Sequence, residues 1–112
     1  MPNRNYVNGR AFEYRVKADL EKKGFYVKRS YASKTVVDLL AYKYPDGLFV
    51  QCKRGAARIS DTEWNELYKI AIEHGGKAIL AESPKTGIDY IELTGYITDK
   101  SERERNCHKY MF

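Results

Sequence analysis

The sequence predicts an α/β domain, on three observations. Two stretches carry apolar residues at helical spacing. Short alternating or continuous apolar runs of strand character lie between and after them. The length, 112 residues, suits one hydrophobic core and not two. Residues 1–112 are therefore read as a single domain.

The first helix is expected from Asn8 to about Lys23, where Phe12, Val16 and Leu20 recur every four residues. Asn8 is placed to cap its start and Gly24 to stop it. Phe25 to Ser30 alternates as a strand does. Val36–Tyr42 and Leu48–Lys53 are more continuous apolar runs, joined as a hairpin by Tyr44-Pro45-Asp46-Gly47. Arg54 to Ile59 is basic and reads as a flexible link. Ser60-Asp61-Thr62-Glu63 has the form of a capping box, followed by Trp64, Leu67, Tyr68 and Ala71 and closed by Gly75-Gly76, which defines the second helix. Two further strands, Lys77–Glu82 and Ile88–Leu93, surround the turn Ser83–Gly87. The expected order is α-β-β-β-α-β-β, with residues 98–112 as a charged, poorly anchored tail that is flexible or folds over a neighbouring subunit.

Composition narrows the function classes. A hydrophobic fraction of 43% with 31% charged residues suits a small soluble globular domain. No apolar run approaches the roughly 18–20 residues that cross a bilayer, and the first residues lack a signal-peptide pattern. Cys52 and Cys107 make neither a disulfide scaffold nor, with the isolated His74 and His108, a zinc cluster. The expectation is a reducing, cytoplasmic setting with no membrane and no small-molecule cofactor. The net charge of +5 is unevenly spread: residues 1–60 hold 13 Lys and Arg against 5 Asp and Glu, and residues 61–112 hold 7 against 10. A basic front half suggests a polyanionic partner, because phosphate neutralisation supplies most sequence-independent nucleic-acid affinity. An ordinary solvated basic surface accounts for the same charge.

Chemistry concentrates around the hairpin. Gln51 and Lys53 share one strand face while Cys52 takes the other. With Pro45 and Asp46 at the turn centre, Asp38 falls opposite Lys53 and diagonal to Gln51; a slip by two sets it opposite Gln51, and only an odd slip separates them. Glu13, on the margin of the first helix's apolar stripe, can lean toward Asp38. Converging carboxylates call for a cation, and oxygen donors favour a hard one. Asp38, Glu13, the Gln51 side-chain oxygen and the Cys52 backbone carbonyl would then hold Mg²⁺, with Mn²⁺ as substitute. Lys53 would stabilise developing charge during phosphodiester hydrolysis. The bland arrangement of the same residues is a buried Asp38–Lys53 salt bridge with Gln51 as a hydrogen-bonding neighbour.

Val37-Asp38 followed by Val50-Gln51-Cys52-Lys53-Arg54 resembles the D…(D/E/Q)-x-K signature of restriction-endonuclease-like nucleases. The wider order is similar to archaeal and phage Holliday-junction resolvases: Gly9-Arg10-Ala11-Phe12-Glu13 opening a helix, Gly24-Phe25 after it, Val27-Lys28-Arg29-Ser30, then Ser33-Lys34 ahead of Val37-Asp38-Leu39. The resemblance implies a restriction-endonuclease-like α-β-β-β-α-β core, with a mixed central sheet flanked by helices. It also implies metal-site positions at Glu13, Asp38 and Gln51, a catalytic lysine at Lys53, and a Ser33 hydroxyl near the scissile phosphate. Arg10, Arg29 and Lys34 would touch DNA phosphates, and Arg54 and Arg58 lie on the same basic segment. Such a protein would be a structure-selective endodeoxyribonuclease of recombination and repair, a homodimer making paired nicks in four-way junctions, working in the host cytoplasm if phage-encoded. Gln51 departs from the Glu usual in archaeal resolvases and matches the Gln-x-Lys of the Mrr-like branch. Two other readings stand beside this one: another nuclease of the fold, Mrr-like or repair-related, and a non-catalytic binder of branched DNA. The tyrosines, Tyr14, Tyr26, Tyr31 and Tyr42 among them, are read as amphipathic filling before any base-stacking role.

Overall fold

Residues 4–30 and 35–112 are described by the computed structural model. Helix α1 spans Arg4–Lys22, four residues longer at its start than the sequence suggests. Asn8 therefore lies inside the helix instead of capping it; a cap preference of about 1 kcal/mol yields when the preceding residues also accept helical geometry. The end is as expected: Gly24 takes a left-handed φ of +95°, and the Phe25 N–H returns to the Leu20 carbonyl at 3.0 Å.

Six strands form one sheet in chain order: β1 Tyr26–Arg29, β2 Leu39–Lys43, β3 Asp46–Arg54, β4 Lys77–Ser83, β5 Asp89–Leu93 and β6 Cys107–Lys109. Only β3 and β4 run parallel, connected through α2 (Asp61–Glu73), so the sheet is mixed. Phe12, Val16 and Leu20 of α1 pack with Leu39, Leu48, Val50, Ile79 and Ala81 on one face. Trp64, Leu67 and Ala71 of α2 pack with Ala78 and Leu80 on the other, where Phe49 joins them. Alternate residues of β3 thus face different helices. The capping box is present: the Ser60 hydroxyl accepts from the Glu63 N–H and Glu63 Oε1 accepts from the Ser60 N–H, both at 3.1 Å.

Three expectations change. The hairpin pairs Lys43 with Asp46 and Leu39 with Val50, so its centre is Tyr44-Pro45, two units away from the expected pairing. Asp46 joins the ladder and holds Lys77 at 3.3 Å, which favours this register. The stretch after β3 is tied down, with the Gly55 N–H on the Ser83 carbonyl at 2.9 Å and Ile59 only 3% exposed. The tail is not poorly anchored: it adds helix α3 (Glu102–Arg105) and strand β6 paired to β5. Arg103 donates to Asp61 at 2.6 and 3.0 Å and to the Ile59 carbonyl at 2.8 Å, while its guanidinium lies 5.3 Å from the Trp64 ring. Tyr110 is 6% exposed. Its N–H reaches the Tyr90 carbonyl, and Phe112 sets its ring edge-on to Phe25, Tyr90 and Tyr110. Among the described residues no helix is long and apolar enough to cross a membrane.

Candidate active site

Asp38 sits immediately before β2, in the gap between strand and loop. Its N–H donates to the Val50 carbonyl at 2.8 Å, its carbonyl accepts from the Ser30 N–H, and its carboxylate accepts the Cys52 N–H at 2.8 Å. These bonds fix the acid against the backbone of β3 beside Gln51 and Lys53. Burial pushes its carboxyl up to about 6; the Cys52 N–H opposes this, the charge on Glu13 reinforces it, and Lys53 and Glu63 act in opposite directions more weakly. An acid held in this state favours a cation partner.

Glu13 comes from α1, on the opposite side of the sheet from Gln51 and Lys53. It accepts from Arg29 Nε at 3.2 Å, and its side chain is 21% exposed, neither buried in the core nor free in solvent. Gln51 is 5% exposed and directed to the α2 side, where its Nε2 donates to Glu63 Oε2 at 2.9 Å. Lys53 Nζ lies 3.3 and 3.4 Å from the two Glu63 oxygens. The lysine's ion pair is therefore with Glu63, not the Asp38 that the bland reading of the sequence offered. Cys52 faces the α1 core, and burial first, then Asp38 and Glu13, push its thiol well up. Only its backbone is offered to the site, since a thiol ligates as thiolate.

Glu63 is the residue that the sequence reading missed. The capping box already explained it locally, yet the same carboxylate, over the α2 face of the sheet, meets Gln51 and Lys53 of β3. Partial burial acts upward on its carboxyl, but the Ser60 N–H, the Gln51 amide and Lys53 together hold it below the usual range.

The donors fit a hard divalent cation. Gln51 Oε1 is buried with no hydrogen-bond partner, an acceptor left open where buried oxygens are normally satisfied. The Asp38 carboxylate is an oxygen donor of the kind such ions take, and Glu13, on the α1 side, acts on it through its charge. Among the described residues no three acidic, His or Cys side chains form a metal cluster by themselves.

Among the basic residues, Arg10 is exposed with a guanidinium nitrogen 3.4 Å from the Tyr14 hydroxyl. Arg29 lies between Glu13 and the Tyr14 ring, Arg54 ends β3, and Arg58 is exposed with Glu82 in its field. Ser33 and Lys34 lie outside the described residues.

A helix, three strands, a second helix and a strand parallel to the third, with an acid just ahead of the second strand and a Gln-x-Lys pair on the third, make a restriction-endonuclease-like arrangement. The sequence model of the Mrr_cat family, described as restriction endonuclease, matches residues 5–86, and the chain belongs to that family. Among solved structures, Hjc of Archaeoglobus fulgidus, a Holliday junction resolvase from an archaeal hyperthermophile, has a similar fold. The TM-score is 0.66 at 24% identity, over 74% of this chain and 70% of that one. No curated protein matches the chain.

Proposed function

We propose that the chain is a structure-selective endodeoxyribonuclease that resolves four-way DNA junctions by Mg²⁺-dependent phosphodiester hydrolysis, acting as a homodimer that makes paired nicks. The observation that carries the hydrolytic part is the half-buried Asp38 carboxylate held on the Cys52 N–H of β3, together with the unpartnered Gln51 oxygen and the lysine two residues further along that strand. Asp38, Glu13, Gln51 Oε1 and the Cys52 carbonyl would hold the ion. When bound, Mg²⁺ supplies Lewis-acid charge neutralisation and a more acidic water. Lys53 stabilises the charge that develops on the phosphate, and Glu63 keeps the ammonium in place. Arg10, Arg29, Lys34, Arg54 and Arg58 contact backbone phosphates, and Ser33 approaches the cleaved one. The junction preference draws support from the similar fold of the archaeal resolvase. A junction's approximate two-fold symmetry suits an isologous dimer.

The test is a synthetic four-way junction beside a linear duplex of the same sequence, with and without Mg²⁺. Junction cleavage at paired positions only with the metal is expected, and Lys53→Ala is expected to slow it on the order of 10²–10³-fold with binding retained. Equal cutting of the duplex would instead support an Mrr-like or repair enzyme; binding without cutting would support a branched-DNA binder. Junction affinity is further expected to fall on the order of 10³-fold between about 50 and 200 mM salt, measured by fluorescence anisotropy; a flat profile would remove the basic residues from the interface.

A further inference from the structure

Glu63 does two jobs with its two oxygens. Oε1 accepts from the Ser60 N–H and Oε2 from Gln51 Nε2. An amide has one donor end and one acceptor end, so occupying Nε2 decides where the oxygen goes. Gln51 Oε1 is left buried and unpartnered.

We infer that Glu63 is a positioning residue for the metal site: its carboxylate fixes the Gln51 amide so that the oxygen is presented to the cation, and supplies in the neighbouring layer the negative charge that Gln51 itself lacks. This rests on the metal-dependent nuclease reading and adds to it an electrostatic partner on α2. Its physical content is a reciprocity between positions 51 and 63. One amide and one carboxylate satisfy each other at 2.9 Å. Two carboxylates there would repel, and two amides would compete over which end each presents.

The substitution Glu63→Gln isolates this role, because glutamine also serves the third helical position of a capping box. With its oxygen on the Ser60 N–H, the introduced amide would direct its NH₂ at Gln51. The Gln51 amide would turn over to accept, placing NH₂ where the oxygen was. The exchange Gln51→Glu with Glu63→Gln restores one carboxylate and one amide in the opposite order, keeps the cap, and leaves a carboxylate oxygen for the cation.

Binding of Mn²⁺ alone to the DNA-free protein, read from the loss of the free-ion paramagnetic resonance signal, separates the outcomes; thermal melting checks that each variant is folded. Glu63→Gln is expected to bind Mn²⁺ at least about 10-fold more weakly with its melting midpoint little changed, and the exchange pair to recover the original affinity. Glu63→Gln binding Mn²⁺ as well as the unsubstituted protein would overturn the inference while leaving the nuclease reading intact. If the unsubstituted protein takes up no Mn²⁺, both fall together. Should Glu63→Gln not fold, the exchange pair decides alone: recovered binding supports the inference and lost binding overturns it.

Discussion

Replacing Asp38 by asparagine is expected to abolish junction cleavage, on the order of 10³-fold or more, while making the metal-free protein more stable above about pH 6. The catalytic loss should exceed the roughly 10–100-fold typical of residues that merely support a metal ligand, because Asp38 is proposed as a ligand itself. The gain in stability follows from the carboxyl standing at about 6 in the folded chain against about 4 in an unfolded one. Between those values the native state binds more protons than the unfolded state, so stability declines as pH rises through that window. Below about pH 4 there is no penalty; above about pH 6 it is complete, at roughly 3 kcal/mol. Asparagine keeps an oxygen for the Cys52 N–H and carries no charge, so urea unfolding in chelator at about pH 8 is expected to show a gain of about 2 kcal/mol that vanishes near pH 4. Divalent metal should stabilise the unsubstituted protein and not the variant. Equal stability of the two in the alkaline measurement would mean that Asp38 carries no desolvation cost.

Tyr110→Ala is expected to lower stability by about 3 kcal/mol, like the loss of other large buried aromatics, and the melting midpoint by roughly 10–15 °C. The ring is 6% exposed, abuts Phe112 at 4.9 Å and has Lys77 Nζ 5.3 Å from its centroid. Met111, 78% exposed, is the control, with little change expected on substitution. A Tyr110→Ala protein as stable as the original would show that the end of the chain contributes nothing to the core.

How much of this was legible in the sequence depends on the range of the interaction involved. The α2 capping box and the Gly24 stop are local, and both are found where the residues indicate. The hairpin register differs by two from the expected one, yet the Asp38 carboxylate still reaches β3 between Gln51 and Lys53, at the Cys52 N–H, because side-chain period makes only parity matter. Which helix lies over which face was not legible: Gln51 and Lys53 look toward α2, while Glu13 arrives from α1. Glu63 was hidden because a single local motif already accounted for it. The tail escaped because a four-residue helix and a three-residue strand carry no usable periodicity. Its anchor, Arg103 on Asp61, spans 42 positions.

The outermost strands among the described residues, β1 and β6, are four and three residues long and carry Lys28, Arg29 and Lys109. Their free backbone groups are few and lie among cations, which discourages another chain from adding itself to either border. The folded chain is thereby guarded against growing into fibrils, and any pairing of subunits is directed to surfaces other than the rims of the sheet.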